Sequence, residues 1–324
     1  MKNFESFLAP QINEYLRYRQ SLGYSTQVSR SHLLIFDRYL RQTNAQWETL
    51  TPFFFLEMRA NLEMEPRSVN RVFSSVRVFF HFLLRREYVR ENLLQDIPPL
   101  KENSIIPFVF SPAQTDQLLQ AVSERVGRRE KHFLMDLALY LAIVLLARCG
   151  MRISEPLRLM RNHYRKDDGT LYIEKTKFKK QRLIPVPKTA MTEIENYLSV
   201  RQSLNPYDQN PYLLAGINQA TLKAEQIRHV FRTALKGIGI DQGRKIIGNV
   251  NFTQPTPHSL RHSFAVNTLM KIKERGQSTQ RALPVLAAYM GHSEYKYTSV
   301  YLRVADAQSR QNLVDFSLWQ KRKE

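Results

Sequence analysis

His258-Ser259-Leu260-Arg261-His262 opens the segment around which this chain is organised. The segment continues through the apolar run Leu283-Pro284-Val285-Leu286-Ala287-Ala288-Tyr289-Met290 to Gly291-His292, and it reaches Tyr301 nine positions later. An arginine binds an oxyanion bidentately, histidines exchange protons near neutral pH, and a phenol can attack phosphorus. The segment therefore predicts phosphate chemistry centred on Tyr301.

The charge of the whole chain points to a polyanionic partner. The formal net charge is +19 over 324 residues, with a pI of about 10.0. Residues 1–102 hold 14 basic and 11 acidic side chains, and the remaining residues hold 34 and 18. Such an excess costs self-repulsion in the folded state and is typical of proteins that bind nucleic acid. The stronger field is expected in the second part of the chain.

Other features of the composition exclude several classes of protein. A hydrophobic fraction of 43% predicts a globular chain, and its length allows two domains. The single Cys149 excludes an internal disulfide and lies in an apolar setting, which predicts a buried thiol. The N-terminus has no signal-peptide pattern, and the run 133–147 is interrupted by Asp136 and too short to span a bilayer. We expect a cytoplasmic protein with no membrane role.

The first part of the chain has helical periodicity throughout. Apolar residues recur at three- and four-residue steps over 4–22 and 25–41, while Thr51-Pro52 and Pro66 mark the starts of a third and a fourth helix. In the fourth helix, Arg67, Arg71 and Arg77 fall outside the apolar stripe. These arginines are predicted DNA contacts, with a solvated helix face as the alternative.

A linker is predicted after these helices. Residues 97–107 lack periodicity and contain three prolines. The predicted organisation is a helical domain over 1–100, a linker over 101–110 and a second domain over 111–324.

The second domain is predicted to be mainly α-helical with one small sheet. Helices are expected over 111–122, 131–149, 187–202, 224–236, 258–274 and 279–290, with helical segments near 295–301 and 307–320. Two short β-like runs between 170 and 187 flank a lysine-rich turn and predict an antiparallel hairpin. The loop 237–257 has no clear assignment.

An ordered set of residues runs along this second domain. Arg152 stands in Gly150-Met151-Arg152-Ile153-Ser154-Glu155, a lysine follows in the hairpin turn, and His258, Arg261, His292 and Tyr301 come after. This set resembles the catalytic signature of the tyrosine recombinase (phage integrase) family, and the helical first part resembles that family's core-binding domain. The implied fold is mainly α with a small antiparallel β-sheet: an N-terminal four-helix core-binding domain plus a C-terminal tyrosine recombinase catalytic domain.

The resemblance implies a role for each residue. Arg152 and Arg261 would hold the nonbridging oxygens of one phosphodiester, and His292 would hydrogen-bond or position it. Tyr301 would attack to form a 3′-phosphotyrosyl bond, with His258 as the candidate base, because a tyrosine pKa of about 10 makes the neutral phenol a poor nucleophile. A hairpin lysine would protonate the leaving 5′-oxygen. Glu155 would orient an arginine or histidine from a neighbouring helical face, and no cofactor or metal would be needed.

Three assignments within this set stay open. The turn Thr176-Lys177-Phe178 lacks the family's two glycines, so Lys177 is favoured as the acid while Lys175 and Lys179 remain alternatives. Lys175, Lys179 and Lys180 are also predicted DNA contacts. Tyr301 is preferred to Tyr297 because of its spacing, and His262 is assigned to packing or to support.

The apolar residues after Tyr301 predict an amphipathic tail that packs on its own domain or on a neighbouring protomer.

The resemblance implies site-specific DNA recombination or integration, with double-stranded DNA held in a synapse by a homo-tetramer, with or without partner recombinases. Strands would be exchanged through a Holliday junction. A monomeric type IB topoisomerase-like enzyme and a catalytically silent DNA-binding regulator are the alternatives. Phage, transposon or other mobile-element, chromosome-dimer and cassette contexts all remain open.

Overall fold

The computed structural model describes residues 3–127, 132–174, 181–216, 220–240, 243–292, 294, 297–302 and 304. The chain divides into two compact units, Met1–Ser104 and Ile105–Glu324. The division falls inside the predicted linker. That segment is not irregular throughout, because it contains a strand, Ser104–Ile106, and the fully buried Phe110.

The first unit contains four α-helices, α1 (Ala9–Ser21), α2 (Gln27–Gln42), α3 (Pro52–Asn61) and α4 (Pro66–Arg85). Prolines lie near the starts of α1, α3 and α4. The backbone nitrogens of a first turn have no partner within the helix, so a proline there loses no hydrogen bond by lacking an N–H. Helix α1 begins later than its apolar pattern predicts. The Asp37 carboxylate accepts the backbone N–H groups of Glu5 and Ser6, which holds these residues outside the helix.

Aromatic side chains form the centre of this first core. Phe36, Phe55 and Phe80 are fully buried and pair edge to face or tilted, with ring centroids 5.3–6.2 Å apart. The predicted stripe of α4 faces this core: its buried members include Val69, Val72, Phe73, Val76, Phe80 and Leu83. Each aromatic pair stabilises the core by about 0.5–1.5 kcal/mol beyond the stabilisation that comes from burying the ring surfaces.

The second unit is built around one apolar helix. Its helices are α5 (Pro112–Ser123), α6 (Phe133–Arg148), α7 (Lys188–Leu204), α8 (Ala224–Gly237), α9 (Pro257–Glu274) and α10 (Thr279–Met290). Helix α6 packs against α5, α7, α8 and α9, so it is buried on nearly every side. Cys149 follows it as a buried free thiol, and burial raises its pKa to about 12.

In the described part of the chain, these helices are accompanied by two three-stranded sheets rather than by the one predicted. The strands are β1 (Ser104–Ile106), β2 (Tyr164–Arg165), β3 (Thr170–Ile173), β4 (Arg182–Pro185), β5 (Lys245–Ile247) and β6 (Val250–Phe252). The predicted hairpin is β3–β4, with Leu171 opposite Ile184, and β2 extends it. The second sheet has the order β1-β6-β5: β5 and β6 lie in the loop that the sequence left unassigned, and β1 lies in the predicted linker.

Residues 297–302 and 304 are helical and pack on α9 and α10. Tyr301 and Val304 join a small core with Ala265, Leu269 and Leu286. The rest of the predicted tail, with residues 307–320, lies outside the described residues. No helix in the described ranges is long and apolar enough to cross a membrane.

Candidate active site

Arg152 is placed by a sharp turn at the end of α6. Gly150 has a left-handed backbone with φ of +57°, and a Cβ there would lie 2.4 Å from the Phe264 ring. Glycine therefore ends the helix and lets α9 approach. Because α6 stops at Arg148, Arg152 and Glu155 lie on a turn rather than on the helical faces that the sequence predicted.

Glu155 is a buried carboxylate between two arginines. It accepts the backbone N–H and Nη1 of Arg152 at 2.8 and 2.9 Å, and it accepts Nη1 and Nη2 of Arg182 at 3.0 and 2.9 Å. Its side chain is 4% exposed. Burial alone raises the pKa of Glu155, but the hydrogen bonds and charge of Arg182 and the backbone bond from Arg152 outweigh it and leave the pKa lowered. Glu155 is thus an anion at neutral pH.

Arg261 is the most enclosed cation of the site, with an exposed fraction of 1%. It lies in the first turns of α9, which starts at Pro257 with a reciprocal cap between Thr256 and Ser259. Its guanidinium donates to the Gly150 carbonyl at 2.7 Å and to the Met290 carbonyl. Burial, and then the charge of Arg152, lowers the pKa of Arg261 to about 10, which still leaves a cation at pH 7.

Three consecutive residues at the end of α10 receive bonds from both arginines. Arg152 Nη2 donates to the Gly291 carbonyl at 2.9 Å, while Arg261 Nη2 contacts the Met290 carbonyl and lies 3.2 Å from His292 Nε2. Gly291 makes this possible, since its φ of +64° ends the helix and turns His292 back toward α9. Side chains more than 100 positions apart are thereby held at one place.

The hydrogen bonds of His292 define its tautomer. A guanidinium can only donate, so Nε2 accepts from Arg261 and Nδ1 carries the proton, which it donates to Thr298 Oγ1 at 2.7 Å. Burial, followed by the charges of Arg261 and Arg152, lowers the pKa of His292 to about 4. His292 is therefore neutral at pH 7.

Tyr301 reaches the same site from the C-terminal side. Its side chain is 4% exposed, its ring stacks on His292 with centroids 6.1 Å apart, and its hydroxyl lies 3.1 Å from His262 Nδ1. Burial raises the pKa of Tyr301, and the charges of Arg261 and Arg152 oppose that rise. The phenol is protonated at neutral pH in this conformation.

His258 lies on the outer side of His262. The two rings meet edge to face with centroids 4.6 Å apart. Both line a cavity of about 480 Å³ together with Ser259, Thr256 and Asn251. Although His258 is exposed at the surface, desolvation in this cleft, and then the charges of Arg261 and Arg152, lower its pKa to about 4.

Comparison with known proteins identifies this arrangement. The model of the phage integrase family matches residues 109–308. The chain belongs to the phage integrase family. A putative integrase/recombinase of Sinorhizobium fredii is 30% identical over 308 residues, covering 93% of each chain, and tyrosine recombinase XerA of Pyrococcus furiosus is 26% identical, covering 94% of each. A lambda integrase tetramer bound to a Holliday junction has a similar fold, with a TM-score of 0.63 at 16% identity, covering 89% of this chain and 77% of that one.

This tyrosine recombinase has the mainly helical two-part fold that the sequence predicted, and Arg152, Arg261, His292 and Tyr301 converge in it. The hairpin lysines Lys175, Lys177, Lys179 and Lys180 lie outside the described residues. Arg67 and Arg71 are exposed on α4 in the first unit, where Arg67 pairs with Glu102 at 3.1 Å.

Arg77 has structural partners that the sequence did not predict. Its Nε and Nη2 donate to the carbonyls of Leu94 and Ile97 at 3.0 and 2.9 Å, and Asn92 donates to the Arg77 carbonyl. The guanidinium holds the segment after α4 in place. Arg77 thus has a structural role in the first unit, and its DNA contact stays a prediction.

Sequence reasoning missed two residues of the recombinase site. Arg182 was read only as a marker of hairpin register, yet it binds Glu155 and donates through Nε to the Tyr289 carbonyl at 2.8 Å. Its position at the start of β4, where alternate residues face inward, was the available signal. His262 was assigned to packing or support, and its place one helical turn after His258 indicated that the two rings share a face.

Proposed function

We propose that Tyr301 is the nucleophile with which this recombinase cuts and rejoins DNA strands. Arg152 and Arg261 bind the nonbridging oxygens of the scissile phosphate, and His292 positions it. The Tyr301 oxygen attacks phosphorus, the bond to the 5′-oxygen breaks, and a 3′-phosphotyrosyl link conserves the bond energy for religation. A hairpin lysine, with Lys177 favoured, donates a proton to the 5′-oxygen.

The observation that carries this proposal is the shared anchoring of Arg152 and Arg261 on residues 290–292. Two rigid guanidiniums beside a neutral histidine make a preorganised cationic site for the charge that develops on a pentavalent phosphorus. A guanidinium has five N–H donors, and the bonds among the described residues use two of those of Arg152. Donors thus remain for a phosphate.

Tyr301 must change its position during the reaction. Tyr301 is 4% exposed and Arg261 is 1% exposed, so in this conformation neither the hydroxyl nor the Arg261 guanidinium can meet a phosphate of double-stranded DNA. We propose that the conformation described here is the resting state and that DNA binding moves the segment 297–304. Tyr301 and Val304 belong to a small hydrophobic core, so we expect a moderate free-energy cost for moving them out of it.

Covalent capture tests the nucleophile. The recombinase is incubated with a duplex nicked just 3′ of the cleavage position, so that the short leaving strand diffuses away and the adduct accumulates. We expect a protein–DNA adduct that survives denaturation and a DNA-linked peptide containing Tyr301. Absence of any adduct on duplexes that the protein binds, or a link to another tyrosine, would contradict the proposal.

A homo-tetramer on two duplexes, acting in the cytoplasm, is the proposed working assembly. It is supported by the similar fold of the lambda integrase tetramer on a Holliday junction. In a topoisomerase-like enzyme, a monomer would relax supercoils without paired sites, and in a silent regulator no adduct would form. Recombination of a two-site plasmid, with junction intermediates visible on gels, distinguishes these outcomes.

The arginines of α4 allow a matched test of DNA binding. Arg71 is exposed, whereas the Arg77 guanidinium is bonded to its own backbone. Arg71→Ala is expected to weaken binding at all sequences and to reduce the salt slope of log K by about one, because one phosphate contact is lost. Thermal unfolding should be unchanged.

Arg77→Ala should show the opposite pattern. Two charge-assisted bonds are lost, so the first unit should be destabilised by about 1.5–3 kcal/mol, while the salt slope stays that of the unmodified protein. Binding titrations over a range of salt, together with thermal unfolding, check both variants. Equal salt slopes for the Arg71 variant and the unmodified chain would remove Arg71 from the DNA interface.

A further inference from the structure

His262 is the described side chain that hydrogen-bonds the Tyr301 hydroxyl. Its Nδ1 lies 3.1 Å from that oxygen, and the ring centroids are 5.6 Å apart. Within the described residues, His258 contacts the phenol only through His262, whose ring lies between them. The ring of His262 thus separates His258, the histidine of the His-x-x-Arg motif, from the proposed nucleophile.

We propose that His262 is a catalytic residue that accepts the proton of Tyr301 as the phenol attacks DNA. This inference rests on the proposed role of Tyr301. The bond from the Tyr301 oxygen to phosphorus forms, the bond from phosphorus to the 5′-oxygen breaks, and the phenolic proton moves to Nδ1 of His262. The 5′-oxygen takes its proton from the lysine, and religation reverses both transfers. The base thus lies one helical turn beyond the residue that the family resemblance suggests.

His262 has the protonation state that a proton acceptor needs. Burial, and then the charges of His258, Arg261 and His292, lower its pKa to about 3, so the ring is neutral at pH 7 and one of its two nitrogens has a free lone pair. The proposal assigns the ring proton to Nε2, so that Nδ1 accepts and Tyr301 donates in the bond. The proposal requires that the His262 ring and the phenol stay paired when the segment 297–304 moves to meet DNA.

A bound phosphate is expected to strengthen this base. Arg261 is one of the charges that keep His262 neutral, and a phosphate held by Arg261 brings a negative charge that works in the opposite direction. The ionisable groups around the ring are His258 and Arg261 on α9, His292 after α10, Tyr301 itself and Arg244 across the cavity. Since His258 and His292 are neutral at pH 7, the arriving anion acts chiefly against the charge of Arg261. His262 therefore becomes more basic once the scissile phosphate is in place.

The test uses a duplex whose scissile phosphate carries a bridging 5′-sulfur. A thiolate leaves without a proton, so its cleavage rate reports proton loss from Tyr301 and is insensitive to the lysine. His262→Asn is the main variant, because an amide can hold the phenol by a hydrogen bond and cannot accept a full proton. We expect adduct formation at pH 7 to fall by about 100-fold or more, with unchanged DNA affinity.

The pH profile separates a base from a merely positioning residue. The cleavage rate of the unmodified chain should reach a plateau by about pH 7. The cleavage rate of the Asn variant should instead rise by about tenfold per pH unit between pH 7 and 9, because its phenol must lose the proton to solvent. An Asn variant that cleaves at the rate of the unmodified chain, or more slowly with an unchanged profile, overturns the proposal. His229→Asn, an exposed histidine on α8, is the matched control and should change nothing.

Two further measurements keep the proposal testable if His262→Asn does not fold. If His262→Asn does not fold, the cleavage rate of the unmodified chain as a function of pH decides the question. A plateau supports His262 as the base, and a continuous tenfold rise per pH unit overturns that role. His262→Ala with added imidazole gives an independent reading, because the vacated space adjoins the 480 Å³ cavity and rescue requires a proton acceptor there. If the unmodified protein forms no adduct at Tyr301, the proposed nucleophile fails, which is distinct from a failure of His262.

Discussion

Tyr301→Phe is expected to abolish the covalent DNA adduct while leaving DNA affinity unchanged. The substitution removes one oxygen, and the ring keeps its packing against Ala265, Leu269 and His292. The variant loses the hydrogen bond to His262, which should cost about 0.5–1.5 kcal/mol of stability. Chemistry should stop because the phenol oxygen is the attacking atom of the proposed reaction. Denaturing gels of the suicide duplex and binding titrations measure the two effects.

Tyr297→Phe is the control for this prediction. Tyr297 is four positions away and 47% exposed, and its hydroxyl bonds to Glu294 at 3.3 Å. It should form the adduct at the rate of the unmodified protein. Loss of the adduct in the Tyr297 variant, with retention in the Tyr301 variant, would exchange their roles.

The convergence of the site was predictable from sequence because chemistry fixes it. Arg152, Arg261, His292 and Tyr301 are far apart in the chain, and a single phosphorus can use them only if they meet. Helix starts were equally accessible, since Pro52, Pro66 and Pro112 suit only the first turn. Local rules and one functional constraint therefore gave most of the architecture.

The missed features share a physical cause, which is dependence on distant partners. Arg182 follows a lysine-rich run that has the composition of a solvated turn, and only the fold shows that Glu155 neutralises it in the interior. The second sheet consists of three-residue strands, too short for a periodic signal. It joins Ile106 to Thr253, whose backbone N–H donates to the Ile106 carbonyl at 3.1 Å. The structural bonds of Arg77 were missed because a polar position on a helix can serve its own chain as well as DNA.

Glu155→Gln is expected to destabilise the second unit and to slow cleavage. The carboxylate accepts four hydrogen bonds, two each from Arg152 and Arg182, and Arg261 lies close enough to lower its pKa. The amide removes the only negative charge among these buried groups in the described chain and turns a donor toward an arginine. Breaking a buried pair from one side costs about 3–5 kcal/mol, and at this domain size the melting temperature should fall by roughly 6–20 °C. With Arg152 displaced, cleavage should slow by about 100-fold.

Glu225→Gln supplies the matched control for Glu155→Gln, and acid supplies a second check. Glu225 also bridges two arginines, Arg228 and Arg232 at 3.1 and 2.9 Å, but it is 68% exposed, so its loss should leave melting unchanged. Because the pKa of Glu155 is lowered on folding, its contribution is complete above the ordinary value of 4.5 and disappears as pH falls through the folded pKa. The stability gap between Glu155→Gln and the unmodified chain should therefore be constant from pH 8 to about pH 5 and should narrow below it. A gap as large at pH 3 as at pH 7 would mean that the carboxylate charge is not what holds Arg152 and Arg182 together.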